Sequence, residues 1–384
     1  MECRQNRREE EKGDQTGGKQ RFLTHEWDYT VFNRDAEKKL TILRYNSSMP
    51  SAVLDTLDRP LHDLRISVTD RCNFRCTYCM PKEIFGPNYT YLPRSAVLTF
   101  EEIARLARLF TRFGVRKFRL TGGEPLMRRD LETLVAMLAE IPDTEIALTT
   151  NGSFPTDRIR TLKEAGLHRM TVSLDSLDDT VFGAMNDVDF PVARVLEWIA
   201  AASAAGFEPV KINAVVKRGI NDQDILPMAR HFHGSGHILR FIEYMDVGAT
   251  NGWRMDDVVT AREIVDAIHA VLPIEPAEPN YFGEVAQRWR YLDGGGEVGV
   301  VASVTQAFCR TCTRARLSAE GKLFTCLFAV NGTDFRELLR SGASDKELTA
   351  AIERVWLRRA DRYSEIRTGQ TAKRPKIEMS YIGG

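Results

Sequence analysis

From residue 62 the chain repeats strand-like and helix-like stretches, and its strand-like stretches carry polar side chains at alternate positions. Strands are expected at 64–69, 116–121, 145–149, 169–174, 209–215 and 238–244, with helices near 100–113, 129–140, 156–165, 192–205 and 222–233. Strands separated by helices of this length imply a parallel sheet. Right-handed crossovers curl six such units into a full or partial barrel. Parallel strands covered on both faces are nearly continuously apolar, and an ordinary (β/α)8 lumen is packed with branched side chains. Here Arg65, Ser67 and Thr69 alternate with Leu64, Ile66 and Val68, and Arg119 and Thr121 with Phe118 and Leu120. Likewise Thr171, Ser173 and Asp175 alternate with Val172 and Leu174, and Lys211 and Asn213 with Val210 and Ile212. With the apolar set against the helices, the polar set lines a wet cavity. The alternative is a two-layer sheet with one solvated face.

Beyond about residue 275 the rhythm stops. Residues 287–293 and 297–304 suit a hairpin around Gly294-Gly-Gly296, and no Lys-Ser/Thr follows those glycines to make a phosphate loop. A helix is expected near 344–361, before a polar tail that ends in Gly383-Gly384. The division expected is therefore an extension over 1–58, a barrel over 59–275 and a smaller C-terminal α+β domain over 276–384. Residues 1–21 contain no large apolar side chain beyond Met1 and read as disordered.

Lys+Arg and Asp+Glu both number 53. A global basic field for nucleic acid or an anionic membrane is thereby excluded, and any anion binding comes from local clusters. No apolar run approaches a membrane span and no secretory or mitochondrial leader is legible, so a cytoplasmic protein is expected.

Seven cysteines fall into two trios and a single Cys3, which suits thiolate ligation better than a disulfide framework. Cys72-x3-Cys76-x2-Cys79 follows the first strand directly. A short loop can wrap three thiolates around three corners of an iron–sulfur cubane, leaving one iron open to a small molecule. A structural zinc site is the bland alternative, but it is normally closed by four ligands, and all seven histidines lie outside this loop. Cys309, Cys312 and Cys326 repeat the pattern, with no histidine after His269. A second cluster with an open iron is expected there. Arg314 and Arg316 sit beside it, and Arg65, Arg119 and Lys211 add positive charge from the polar strand face. Guanidinium forks suit phosphate oxygens, so a polyanionic small substrate is expected.

The Cys-x3-Cys-x2-Cys loop resembles the signature of the radical S-adenosylmethionine (SAM) superfamily, and Thr121-Gly-Gly-Glu124-Pro125 resembles its SAM-amine motif. The match then narrows. The runs 63–81 and 119–128, Leu148-Thr-Thr-Asn-Gly152, Val172-Ser-Leu-Asp175, Val210-Lys-Ile-Asn213 and Phe241-Ile-Glu-Tyr-Met-Asp246 are similar to the GTP 3′,8-cyclase family (molybdenum cofactor biosynthesis protein A). So are the second trio and the terminal Gly-Gly, and the likeness spans about 60–384.

This resemblance implies an α/β fold, a partial (β/α)6 TIM-type barrel with the second cluster in the C-terminal domain. It implies two [4Fe-4S] clusters and SAM as cofactors, with GTP between the clusters. An adenosyl radical takes hydrogen from C3′, and C3′ closes onto C8. Tyr78, Gly122, Gly123, Glu124, Ser173 and Met245 are implied as SAM contacts. Arg65, Arg119, Thr149, Lys211, Arg314, Ala315 and Arg316 are implied as GTP contacts, and Gly383 and Gly384 enter the active site. Implied partners are a flavodoxin- or ferredoxin-like electron donor and, downstream, cyclic pyranopterin monophosphate synthase. No nucleic acid or membrane is involved, and the chain is a monomer or homodimer. The alternatives are a radical SAM enzyme acting on a peptide, with the second trio as an auxiliary cluster, and a zinc-stabilised scaffold.

Overall fold

A computed structural model describes residues 53–372 and 374–384. The expectations for residues 1–52 and Cys3 lie outside the described residues.

Six strands form within two residues of where the alternation places them at either end: β1 (Asp63–Ser67), β2 (Lys117–Thr121), β3 (Glu145–Thr150), β4 (Arg169–Ser173), β5 (Lys211–Val216) and β6 (Ile238–Glu243). They pair parallel in sequence order. Between and after them run α1 (Phe100–Thr111), α2 (Leu131–Ala139), α3 (Asp157–Glu164), α4 (Asp179–Asn186), α5 (Val192–Ala204), α6 (Ile225–Phe232) and α7 (Ala261–His269).

Local chemistry explains the helix boundaries. Thr99 and Glu102 make a reciprocal capping box at the start of α1, and Ile103, Leu106, Leu109 and Phe110 bury its apolar stripe. A cap of this kind contributes about 1 kcal/mol, and each buried side chain about 1.5–3 kcal/mol. Packing therefore outweighs capping. The helices α4 and α7 were not foreseen. Asp178 caps α4 by accepting from Thr180 and Val181, and a Thr260–Glu263 capping box opens α7.

The C-terminal third extends the same sheet. Its strands are β7 (Ile274–Ala277), β8 (Gln287–Tyr291), β9 (Glu297–Val301), β10 (Arg314–Leu317), β11 (Lys322–Phe324) and β12 (Thr333–Asp334), followed by α8 (Phe335–Arg340) and α9 (Asp345–Leu357). β8 and β9 are the expected hairpin. The twelve-stranded order is β12-β11-β10-β1-β2-β3-β4-β5-β6-β9-β8-β7. β1 meets β10, and β6 meets β9, so the partial barrel stays open and its two edges are covered by C-terminal strands. Glu243, fully buried at the end of β6, accepts from the backbone of Ala261, Val304 and Thr305 and ties α7 to the turn after the hairpin.

Register fixes which side chains share a face. Leu64, Ile66, Phe118, Leu120, Ile146, Leu148, Met170, Val172, Ile212, Leu239, Phe241, Ala315 and Leu317 pack on the helix side, all nearly inaccessible. On the other face Arg65 stands between Arg316 and Arg119, and Thr149–Thr171–Lys211 and Asn213–Arg240 continue the row. These polar side chains are buried or half-buried rather than solvated. The sheet has curled around them, which disposes of the flat two-layer alternative.

Candidate active site

The loop after β1 is held by backbone contacts before any ligand is considered. Arg75 donates to the carbonyls of Phe85, Cys72 and Phe74 at 2.8, 2.8 and 2.7 Å and to Tyr91 Oη at 3.2 Å. The end of α4 braces the same loop, since the amides of Arg75 and Thr77 donate to the carbonyls of Asn186 and Met185. Cys72, Cys76 and Cys79 are unpaired and half-buried. Burial, reinforced by Glu124, pushes the Cys72 thiol up to about 12. Burial raises Cys76 and Cys79 as well, with Asp175 adding to the first. Unliganded, these thiols stay protonated, so a metal bound here would displace their protons.

The Gly-Gly-Glu-Pro turn packs onto that loop. A Cβ on Gly123 would stand 2.2 Å from the Arg71 carbonyl oxygen, and one on Gly122 2.5 Å from that of Thr69. These glycines are therefore required by the approach of two loops, not by a ligand alone. Glu124 is a strut: its carboxylate accepts from Thr150 Oγ1 and from the amides of Asn151 and Leu126 at 2.8, 2.8 and 3.0 Å. Burial nevertheless raises it to about 7. Tyr78 donates to Asp175 Oδ2 at 2.9 Å, while Ser173 lies on the inner face of β4 and Met245 just beyond β6. We expect Gly123→Ala to push the turn off the cysteine loop and at least halve the iron bound there, checked by iron and sulfide analysis after anaerobic reconstitution.

The second trio is built on β10. Cys309 and Cys312 flank a short turn before it, and Cys326 follows β11. β10 runs parallel to β1, with Arg314 beside Asp63 and Arg316 beside Arg65. Cys312 thus lies where β1 begins and Cys72 beyond where it ends, so the trios occupy opposite ends of one strand pair, separated by roughly 16 Å of strand. Burial opposes ionisation of Cys312, but the Arg314 and Arg359 guanidiniums overcome it and bring the thiol down to about 6. Burial and Asp361 raise Cys326 to about 12. Among the described residues no three His, Cys, Asp or Glu side chains converge on a single-ion site, as a closed zinc site demands. A cubane spreads its thiolates wider.

Between the trios lies a cationic wall. Arg119 donates to Thr149 Oγ1 and Thr171 Oγ1 at 3.1 and 3.2 Å. Burial, then Arg316 and Arg119, pulls the Arg65 guanidinium well below its ordinary range. Lys211 falls to about 7, through burial and then Arg240, Arg169, Lys117 and Arg119. Arg240 falls to about 9 and Arg316 to about 10, burial leading in both. Glu145 answers Lys117 and Arg169 at 2.9 and 2.8 Å. Arg240 Nε, Asn213 Oδ1 and Thr121 Oγ1 are buried without a hydrogen-bond partner. Crowded cations with orphaned donors, Arg240 Nε first, fit a polyanion that brings its own charge and acceptors, while Asn213 Oδ1 calls for a donor on the ligand.

Every GTP contact implied by the sequence except Ala315 has its side chain on this face; Ala315 pairs with Leu64 and faces the helices, so only its backbone is available. Sequence reading missed Arg240 and Lys117, although the alternation Leu239-Arg240-Phe241 carried the signal. The tail reaches both the first trio and the cationic face. Ser380 N–H reaches Cys79, Arg316 Nη1 donates to the Gly383 carbonyl, and a Cβ on Gly383 would lie 2.0 Å from Thr121 Oγ1. Gly383, at φ 78, is tolerated there because it has none.

Comparison with known proteins finds two family models along the chain. Residues 66–232 match the family model of the Radical SAM superfamily and 237–365 that of Molybdenum Cofactor Synthesis C. Streptococcus suis SuiB, solved with S-adenosylmethionine bound, shares the fold at TM-score 0.55 and 16% identity, over 76% of this chain and 68% of that one. A GTP 3′,8-cyclase of Staphylococcus aureus (strain JH9) is 49% identical over 341 residues, 88% of this chain and 100% of the relative. That of Acidothermus cellulolyticus is 56% identical over 362 residues, again 88% of this chain and 100% of the relative. With such identity along the whole of its relatives, the chain belongs to the GTP 3′,8-cyclase family of the radical SAM superfamily.

Proposed function

We propose that this chain converts GTP to (8S)-3′,8-cyclo-7,8-dihydroguanosine 5′-triphosphate, an early step of molybdenum cofactor biosynthesis. One observation carries the assignment: two three-thiol loops stand at opposite ends of one strand pair, with a buried cationic face between them. Cys72, Cys76 and Cys79 would hold a [4Fe-4S] cluster at one end, and Cys309, Cys312 and Cys326 a second at the other. With SAM bound, the first cluster would supply a 5′-deoxyadenosyl radical able to take the C3′ hydrogen of GTP; bonding of C3′ to C8 would open the C8–N7 double bond, and one electron from the external donor with one proton at N7 would complete the 7,8-dihydro product.

The chain's own residues hold and orient. Tyr78, Gly122, Gly123, Ser173 and Met245 are assigned to SAM, and Glu124 supports them by fixing the turn. Arg65, Arg119, Lys211 and Arg240 take the triphosphate, with Thr149 orienting Arg119. Arg314 and Arg316 hold the nucleotide against the second trio, and the Gly383-Gly384 tail excludes water between the two ends. Positioning is the main contribution, because a fixed C3′ and C8 close an intramolecular ring. A flavodoxin- or ferredoxin-like donor supplies electrons, and cyclic pyranopterin monophosphate synthase takes the product, both in the cytoplasm. Among the described residues no helix is long and apolar enough to cross a membrane.

Anaerobic incubation with GTP, SAM and a reductant tests this directly. The expected result is 5′-deoxyadenosine and a cyclised nucleotide in equal amounts. SAM cleavage with no cyclised nucleotide would overturn the assignment in favour of another substrate, such as a peptide.

A further inference from the structure

The second trio is gripped from behind by two arginines that the reaction scheme does not use. Arg59 and Arg359 are almost wholly buried, as is Asp55. Asp55 Oδ2 accepts from Arg59 Nε at 2.7 Å and from Arg359 Nη1 at 3.2 Å. Arg59 Nη1 donates to the Cys309 carbonyl at 2.8 Å. Arg359 Nη1 donates to the Cys312 carbonyl at 2.6 Å, and its Nε to that of Thr325, next to Cys326, at 3.1 Å. Its remaining nitrogen, Nη2, stands 3.0 Å from Cys312 Sγ. The plane is fixed by Trp356, whose ring lies 4.5 Å from the guanidinium carbon and whose indole N–H donates to the Arg59 carbonyl. Arg59 Nη2 is buried without a partner, a further donor at this site.

Every segment that carries a second-trio cysteine is thus bonded by one of these two guanidiniums, and one bond goes to the ligating sulfur itself. Asp55, with Asp361 at 3.7 Å from Arg359 Nε, balances the buried charge. The first trio shows no guanidinium on a sulfur among the described residues: Arg75 is spent on carbonyls and Tyr91, and its sulfurs meet the Phe74 amide, Tyr78 and the Ser380 amide instead. Hydrogen bonds to cluster sulfurs stabilise the reduced, more negative state and so raise its potential.

We propose that Arg359 is a positioning residue that fixes the Cys312 thiolate and raises the reduction potential of the second cluster. This rests on the second trio holding a cluster, as assigned above, but not on the identity of the substrate.

The test compares holoenzyme carrying both clusters with Arg359→Met and Arg359→Lys, by iron and sulfide content and by redox titration monitored by electron paramagnetic resonance. In Arg359→Met, reduction of the second cluster should become about tenfold less favourable, about 59 mV for a one-electron couple. The first cluster serves as internal reference and should not move. Arg359→Lys keeps the charge and one donor but loses the fork, so it should hold its iron and shift less. If Arg359→Met fails to fold, the lysine variant carries the test by itself. An unmoved second-cluster potential in a variant holding both clusters overturns the proposal. Loss of both clusters together from the lysine variant does so too, because it would mark Arg359 as a general folding residue. Neither readout involves GTP, so a failed cyclisation assay and a failed titration are separate results.

Discussion

Cys76→Ser should eliminate 5′-deoxyadenosine formation, with a loss of at least ~100-fold, since a lost ligand costs no less than the 10–100-fold seen for outer-shell partners. Cys76 is the middle thiol of the first trio, in a position where burial and Asp175 disfavour any negative charge that iron does not claim. A serine hydroxyl there would not ionise, and two remaining thiolates cannot fix a cubane with one corner left for SAM. The loop should survive the change. Its backbone bonds run through the Cys76 carbonyl, which accepts from the amides of Cys79 and Met80 at 2.9 and 2.8 Å, and the Tyr78 hydroxyl that meets the sulfur is also held by Asp175. Iron content should therefore fall by about half while the thermal transition stays close to the parent's. Continued release of 5′-deoxyadenosine by anaerobic Cys76→Ser would sink the assignment of this loop.

Much of the barrel was legible because one physical demand acts on every strand. Leu64, Phe118, Ile146, Val172, Ile212 and Phe241 must meet helices, while their neighbours must not, so a period of two survives in each strand whatever its partners. What the sequence could not carry is pairing between distant segments. Nothing in Arg314-Ala-Arg-Leu317 announces that it lies beside Asp63–Ile66, roughly 250 residues away, because register is set by neighbours that single-sequence periodicity does not contain. The helix α7 was missed for another reason. Its Thr260–Glu263 capping box and buried Ile264, Val265 and Ile268 were readable, but the stretch falls after the sixth strand, where no further crossover was expected.

The site divides in the same way. Both cysteine trios and the inner-face cations could be read from spacing and alternation, and Arg240 was available by the same rule. Glu124 shows what a motif leaves out: the string resembles a SAM-amine motif, and only the fold shows that its carboxylate also accepts from Thr150, Asn151 and Leu126. Arg359 had no signal at all. It lies 47 residues from the Cys312 it touches and 304 from Asp55, in a helix-end sequence, Leu357-Arg-Arg-Ala360, that reads as an ordinary charged surface. Burial turned it into part of the site, and burial is a property of the fold.

Cys312→Ser should have the opposite signature to Cys76→Ser. The first trio, its supporting turn and Arg75 lie at the end of β1 far from Cys312. SAM cleavage should accordingly persist while the cyclised nucleotide falls by at least ~100-fold. Two effects act together. The second cluster would lose a ligand whose thiol Arg314 and Arg359 hold in its ionisable range, and the nucleotide would lose the metal face against which Arg314 and Arg316 are proposed to hold it. Without that anchor C3′ and C8 are no longer fixed at reacting distance, and the intramolecular advantage, about 7–11 kcal/mol at its largest, is forfeited in part. Assaying 5′-deoxyadenosine and cyclised nucleotide in the same anaerobic reaction separates the two outcomes. A variant that still closes the ring at the parent's rate would show that the second trio takes no part in holding GTP, and the division of labour between the two ends of the barrel would fall with it.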